Sequence, residues 1–189
     1  DVRDRPEDLL RLEVAQVDAD GQQRAVRPVD GGPGRALIIK KGPPKGGPLV
    51  AVNPFGDVLD PRTGRILAGA RTAPDSKEFA DTAAVMRSGA PRADLGRSNT
   101  TLAVVATNAR LTKVEANRLA QFAHHGFVRA IRPVHTSVDG DLAIALSCGQ
   151  TQASLDLLGL LAADAVAEAI ARAVRAARTL GGVPGLAGG

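Results

Sequence analysis

The chain has 189 residues, 44% of them hydrophobic, with four Phe, no Trp or Tyr and one Cys. This allows one ordinary domain with an aliphatic core and excludes any internal disulfide. The net charge of +4 comes from 24 basic and 20 acidic residues that are interleaved along the chain. Single-strand nucleic-acid binders stack bases on aromatic side chains, and this chain nearly lacks them, so no nucleic-acid partner is expected. The start, Asp-Val-Arg-Asp-Arg-Pro, has no apolar run behind it, and no stretch of 18 or more apolar residues exists. The sequence therefore reads as having no secretory leader and no membrane span, and as cytoplasmic.

Residues 1–48 are rich in Asp, Arg, Gly and Pro. Only Leu9–Val14 and Ala36–Ile39 suggest short ordered pieces, the second a strand, and Gly42–Pro48 reads as loop. From Leu49 the pattern tightens. Leu49–Val52 predicts a strand, and Asn53-Pro54-Phe55-Gly56 turns out of it. Val58-Leu59, a turn over 60–64 and Arg65–Ala68 predict a hairpin. Asp75 to about Arg87 predicts a helix, with Asp75 and Glu78 as a capping box and Phe79, Ala83 and Met86 on one face. Ser88–Ser98 is a polar loop.

Thr101–Ala106 is a continuous apolar run and predicts a strand buried on both faces. Thr112 and Glu115 cap the next helix, whose apolar face is Ala116, Leu119, Ala120, Ala123 and Phe127. Leu142–Leu146 predicts another strand. The last helix is expected over Ser154–Leu180, with Asp164, Glu168, Arg172 and Arg175 as its solvated stripe and Gly181-Gly182 ending it. Strands alternating with helices favour α/β layers. Cys148 reads as a small buried thiol.

The chemistry concentrates around Asn99-Thr100-Thr101 and Asp139-Gly140-Asp141. A threonine hydroxyl is a weak nucleophile and needs a base. If the Asn99–Thr100 bond breaks, Thr100 gains an α-amine with a reference pKa of about 7.7–8.0, partly neutral at pH 7 and on the same residue. Before cleavage, the hydroxyl would attack the Asn99 carbonyl carbon to give an ester that water hydrolyses. The competing plain reading of Asn-Thr-Thr is a strand start with local hydrogen bonds. The triplet also matches a glycosylation acceptor, which the missing leader disfavours. Asp139 and Asp141 flank a residue free to adopt any backbone conformation. They would orient the hydroxyl and hold the ammonium form of the amine, or else mark a tight turn. Two acids in three residues lack the other ligands of a Ca²⁺ loop, and no metal or cofactor is expected. Asn53 closes its strand, where an amide could donate to a developing oxyanion; Asn108 has a weaker claim to that role. His135 is expected to be structural or to support the site. His124 and His125 lie late in a helix, where a cation complements the dipole, and their spacing fits no metal motif.

Several of these segments, in this order, resemble the self-processing N-terminal-nucleophile aminopeptidases. That family includes the L-aminopeptidase/D-Ala-esterase/amidase, the β-peptidyl aminopeptidases and the nylon-oligomer hydrolases. The matching pieces are Leu49–Val58, Asn99-Thr100-Thr101 with its strand, Val105–Leu111, and His135-Thr136 with Asp139-Gly140-Asp141. The resemblance runs from Pro48 to about Leu180. It implies an α-β-β-α sandwich, incomplete at its N-terminal side, because residues 1–48 do not match the family's long N-terminal region. It implies division into residues 49–99, the end of the α-chain part, and residues 100–189, the β-chain part beginning at the nucleophile. It implies that Thr100 is the nucleophile released by autocleavage after Asn99, that Asn53 is the catalytic asparagine, and that Asp139 and Asp141 are the paired acids near the nucleophile. The Thr with Asp-Gly-Asp is most similar to the nylon-oligomer hydrolase branch. Lys45 sits too close to Leu49 to be assigned the catalytic lysine of part of the family. The implied activity is amide hydrolysis on a small peptide, amide or oligoamide, by a homo-oligomer. The alternatives are an inactive truncated α/β fragment or an acyltransferase of ornithine-acetyltransferase type.

Overall fold

The computed structural model describes residues 14–17, 23–26, 46–73, 76–89, 99–180 and 184–187. Two compact units are distinguished, Asp1–Gly32 and Pro33–Gly189. In the first, β1 (Val14–Val17) and β2 (Gln23–Val26) pair antiparallel. The strand expected at residues 36–39 and most of the expected polar loop, residues 90–98, lie outside the described residues.

The second unit is built on a three-stranded sheet of β3 (Gly46–Asn53), β6 (Thr100–Ala109) and β8 (Leu142–Thr151). Strand β6 is central, antiparallel to β3 and parallel to β8. Helices α2 (Lys113–Ala130) and α3 (Leu155–Ala176) pack on each other and on one face of the sheet. Their order, strand–helix–strand–helix from β6 onward, is the α/β layering that the alternation predicts.

Beside this lies a small antiparallel sheet in the order β5-β4-β7. Its strands are β4 (Asp57–Leu59), β5 (Ile66–Ala68) and β7 (Ile131–Arg132). The hairpin expected around residues 60–64 is its β4–β5 pair. The short helix α1 (Thr82–Arg87) completes the unit. Among the described residues no helix is long and apolar enough to cross a membrane.

The core sits between the sheet and the two long helices. Ala103 and Val105 of β6 meet Leu119, Ala123 and Phe127 of α2 and Leu158, Ala162, Val166 and Ile170 of α3. Phe127, Val166 and Ile170 are fully buried, and each such side chain contributes about 1.5–3 kcal/mol of transfer free energy. Helix α2 begins as its sequence requires. The Thr112 hydroxyl accepts from the Glu115 N–H, and the Glu115 carboxylate accepts from the Thr112 N–H at 2.8 Å. Arg129 of α2 pairs with Asp164 of α3.

Five expectations are corrected. Strand β3 starts at Gly46, within the stretch that reads as loop. A side chain at Gly46 would strike the Ala106 carbonyl oxygen, so glycine lets the strand approach β6. Pro48 is tolerated because β3 is an edge strand, where a missing N–H costs no ladder bond. Asp75, the expected helix start, lies outside the described residues; from residue 76 on, the chain is helical only over Thr82–Arg87, with Asp81 as N-cap, and Phe79 instead bridges Arg71. The fully buried Asp57 fixes the start at Thr82 by accepting from the Thr82 N–H at 2.7 Å and its hydroxyl at 2.8 Å. Helix α3 ends at Ala176, earlier than Leu180.

The fourth correction concerns β6, which the described residues cover on one face only. Thr101, Ala103 and Val105 are buried, whereas Leu102 is 43% exposed. Leu142, Ile144 and Leu146 of β8 are likewise exposed, and Cys148, expected to be buried, is exposed too. The sheet thus has an open apolar face opposite the helices.

Candidate active site

Strand pairing assembles the residues singled out in the sequence. Asn53, the last residue of β3, is the antiparallel partner of Thr100, the first of β6. Residues directly opposite one another on paired strands have side chains on the same face, with Cβ atoms about 4.5–5.5 Å apart. By the alternation along β6, Thr100 and Asn53 share the face that carries Leu102, away from the helices. On the other side of β6, Asn99 forms a parallel bridge with Asp139. That bridge keeps the register in which Leu102 meets Leu142, since both pairs are offset by 40 positions (139 − 99 and 142 − 102).

The Asn99–Thr100 peptide lies inside this arrangement. The Asn99 carbonyl oxygen accepts two hydrogen bonds, from the Gly140 N–H at 2.7 Å and from the Thr100 hydroxyl at 2.7 Å. The first belongs to the parallel ladder; the second comes from the side chain of the residue that follows the carbonyl. The Asn99 N–H in turn donates to the Val138 carbonyl at 3.2 Å. Gly140 is needed for proximity, because a Cβ on it would lie 2.9 Å from the Thr100 Oγ1.

The two carboxylates are each held by a different segment. Asp139 accepts from the Phe55 N–H at 3.1 Å, from the Thr136 N–H at 2.9 Å and from the Thr136 hydroxyl at 2.7 Å. It therefore ties the turn after Asn53 to the loop before β8. Asp141 accepts from the Thr101 N–H at 2.7 Å through Oδ1, and its Oδ2 lies 2.9 Å from the His135 Nδ1. Its side chain is only 2% exposed. Both acids thus position backbone around Thr100, whose own hydroxyl points to the carbonyl before it.

His124 of α2 reaches the same cluster, with its Nδ1 3.2 Å from the His135 Nε2. Burial, and then the neighbouring His135, holds the His124 imidazole below its ordinary pKa, with Asp141 opposing. Nothing in its spacing to the acids announces this contact. One signal was available: His124 stands three residues before Phe127, on a face of α2 that turns inward. Thr101, fully buried beneath the site, has a hydroxyl with no hydrogen-bond partner among the described residues. Asn108 is buried at the opposite end of β6, about 26 Å along the strand from Thr100, and takes no part. Among the described residues no group of three or more His, Cys, Asp or Glu is placed to hold a metal ion.

The model of Peptidase family S58 matches residues 29–187. An uncharacterised aminopeptidase of Mycobacterium leprae is 34% identical over 175 residues, covering 82% of this chain and 47% of the relative. A 6-aminohexanoate-oligomer endohydrolase of Kocuria sp. is 28% identical over 143 residues, covering 67% of this chain and 40% of the relative. Among solved structures, the L-aminopeptidase D-Ala-esterase/amidase of Ochrobactrum anthropi is 23% identical, with a TM-score of 0.40, covering 74% of this chain and 42% of that one. The chain spans about half the length of the curated mycobacterial relatives it matches. With a family match that takes in β3, the Asn99–Thr100 peptide, the Asp139–Asp141 segment and both long helices, the chain belongs to peptidase family S58.

Proposed function

We propose that the protein is a self-processing amide hydrolase whose nucleophile is Thr100, released by cleavage of the Asn99–Thr100 bond. The observation that carries this reading is the Thr100 hydroxyl set 2.7 Å from the oxygen of the peptide it would cut. A second donor, the Gly140 N–H, is already on that oxygen. Attack of Oγ1 on the Asn99 carbonyl carbon would place negative charge on that oxygen. A fixed N–H aimed there stabilises the charge without reorganisation. The C–N bond then breaks, the hydroxyl proton ends on the Thr100 nitrogen, and an ester joins Asn99 to the Thr100 oxygen. Water hydrolyses the ester, leaving a carboxylate on Asn99 and a free α-amine on Thr100.

In the cut protein that amine takes the hydroxyl proton as Oγ1 attacks a substrate amide, and returns it to the departing amine. Water then removes the acyl group. Asn53, the cross-strand neighbour of Thr100, supplies an amide donor to the substrate oxyanion. Asp139 and Asp141 stabilise the ammonium form of the amine. Family membership and the aminopeptidase and oligoamide-hydrolase names of the relatives support a small peptide or oligoamide as substrate.

Intact-mass analysis of the purified chain tests this. Self-processing yields pieces of 99 and 90 residues (189 − 99 = 90), and Thr100→Ala abolishes them. Cleavage of the Thr100→Ala chain at the same bond would refute the assignment. A second reading, an α/β unit that is inert by itself, is favoured by the exposed Leu102, Leu142, Ile144 and Leu146 beside the site. It requires an uncut chain that binds a hydrophobic dye such as ANS through that face.

A further inference from the structure

We propose that His135 is a positioning residue for the nucleophile, acting through Asp141 on the Thr101 N–H, with His124 as its anchor on α2. The proposal rests on the reading of Thr100 as nucleophile, and it concerns how that residue is held once its own chain is cut.

Four groups form one continuous line. His124 Nδ1 lies 3.2 Å from His135 Nε2, His135 Nδ1 lies 2.9 Å from Asp141 Oδ2, and Asp141 Oδ1 accepts from the Thr101 N–H at 2.7 Å. The carboxylate fixes the tautomers. A neutral His135 donates from Nδ1 to Asp141, which leaves Nε2 to accept from the His124 Nδ1–H. The titratable groups facing His135 are His124 and Asp141, with His125 on the next position of α2. Asp139 is engaged instead by Phe55 and Thr136.

The line is held rigidly at both ends. The His124 and His135 rings pack against each other and against Phe127, which is fully buried in the core. Asp141 is nearly sealed from solvent. His135 itself has a φ of 55°, in the left-handed region that few side chains adopt. The backbone is thus bent to bring this imidazole to Asp141, and Asp141 also accepts weakly from the His135 N–H at 3.4 Å.

The consequence follows from chain connectivity. Before cleavage, Thr100 is tethered on both sides, and the ladder bonds of Asn99 hold the upstream side. After cleavage those bonds belong to the other piece. Thr100 is then a chain terminus, held by its peptide bond to Thr101 and by its pairing with Asn53 at the very end of β3, and free termini fray unless tied down. The Thr101 N–H belongs to that one remaining peptide. The bond from it to Asp141 fixes the peptide plane, and so the position of the Thr100 amine and hydroxyl.

Two substitutions separate this role from simple structure. Glycine and asparagine both accept the φ of 55°, but only asparagine keeps a side-chain donor near Asp141. In His135→Gly the Thr101 amide is expected to exchange with solvent about tenfold faster in NMR, and hydrolysis of a small peptide amide by the cut protein to slow by about 10- to 100-fold in kcat. His135→Asn is expected to restore both. Unchanged Thr101 exchange in His135→Gly, or failure of His135→Asn to restore exchange and rate, would overturn the proposal. If His135→Gly does not fold, His124→Phe, which keeps the ring packing and removes the donor, is expected to speed Thr101 exchange; no change there would also overturn it. If the wild-type chain is never cut at Asn99–Thr100, the nucleophile assignment fails, and the exchange arm, read on uncut chains, still decides whether His135 holds Thr101.

Discussion

Replacing Gly140 by alanine sets a methyl group against the Thr100 hydroxyl. The added Cβ would stand 2.9 Å from Oγ1, 3.7 Å from the Asn99 carbonyl oxygen and 3.8 Å from the Thr100 Cβ. Only the first distance is too short, so the strain falls on the hydroxyl alone. Relaxing it to ordinary van der Waals separation requires a retreat of about 0.5 Å or a turn about χ1. Threonine has few χ1 wells to turn into, and leaving the present one gives up the 2.7 Å bond to the Asn99 oxygen. Lost stability is small: about 0.5–1.5 kcal/mol for one hydrogen bond, against about 0.4–1 kcal/mol gained by stiffening the unfolded chain. Gly140 does not occupy the positive-φ region, so alanine meets no backbone penalty there. The proposed self-cleavage is expected to suffer far more, since a misplacement of about 1 Å at the reacting atoms costs on the order of 100-fold. Time-resolved intact-mass measurement of the 189-residue chain follows the appearance of the two pieces, and thermal unfolding reports stability in parallel. A Gly140→Ala chain that cleaves at the wild-type rate would refute the geometric reasoning.

Three further predictions concern stability. Asp57→Ala strands the two Thr82 donors in a buried site and is expected to cost about 3–5 kcal/mol in urea unfolding; Asp57→Asn, which keeps one acceptor, should cost less. Thr101→Val removes a fully buried hydroxyl that has no partner among the described residues, so it is expected to raise stability by about 1 kcal/mol in the same assay rather than lower it. The His124 imidazole is held below its ordinary value of 6.5 in the folded protein, mainly by burial. The folded state therefore binds fewer protons than the unfolded chain. This contribution to stability is complete above pH about 6.5 and is lost as pH falls from there through the lower folded pKa. Urea titrations from pH 8 to 5 are expected to show that decline, flattened in His124→Gln; a decline of equal size in the variant would contradict the assignment.

The amino-acid sequence determined the local and chemical parts of this protein. Capping of α2 by Thr112 and Glu115, the apolar stripe through Leu119, Ala123 and Phe127, and the 60–64 turn are short-range features, written in residues a few positions apart. The residues proposed for the site were also legible: Asn53, Asn99, Thr100, Asp139 and Asp141 have the functional groups the chemistry needs, and strand ends are where such groups cluster. What the sequence left open were the relations set by packing. A continuous apolar run such as Thr101–Ala106 reads the same whether one face or both are covered, and only the assembled sheet shows Leu102 exposed beside Leu142. The helix proposed from Asp75 gave way because Asp57, distant in sequence, captures Thr82. The roles of the two acids split for the same reason. Thr136 and His135 lie within a few positions of their acids, but the distant partners, Phe55 for Asp139 and Thr101 for Asp141, come together only when β3, β6 and the loop before β8 are in register. Hydrogen bonds of that kind depend on distances between segments 40 to 84 positions apart, which no local pattern encodes.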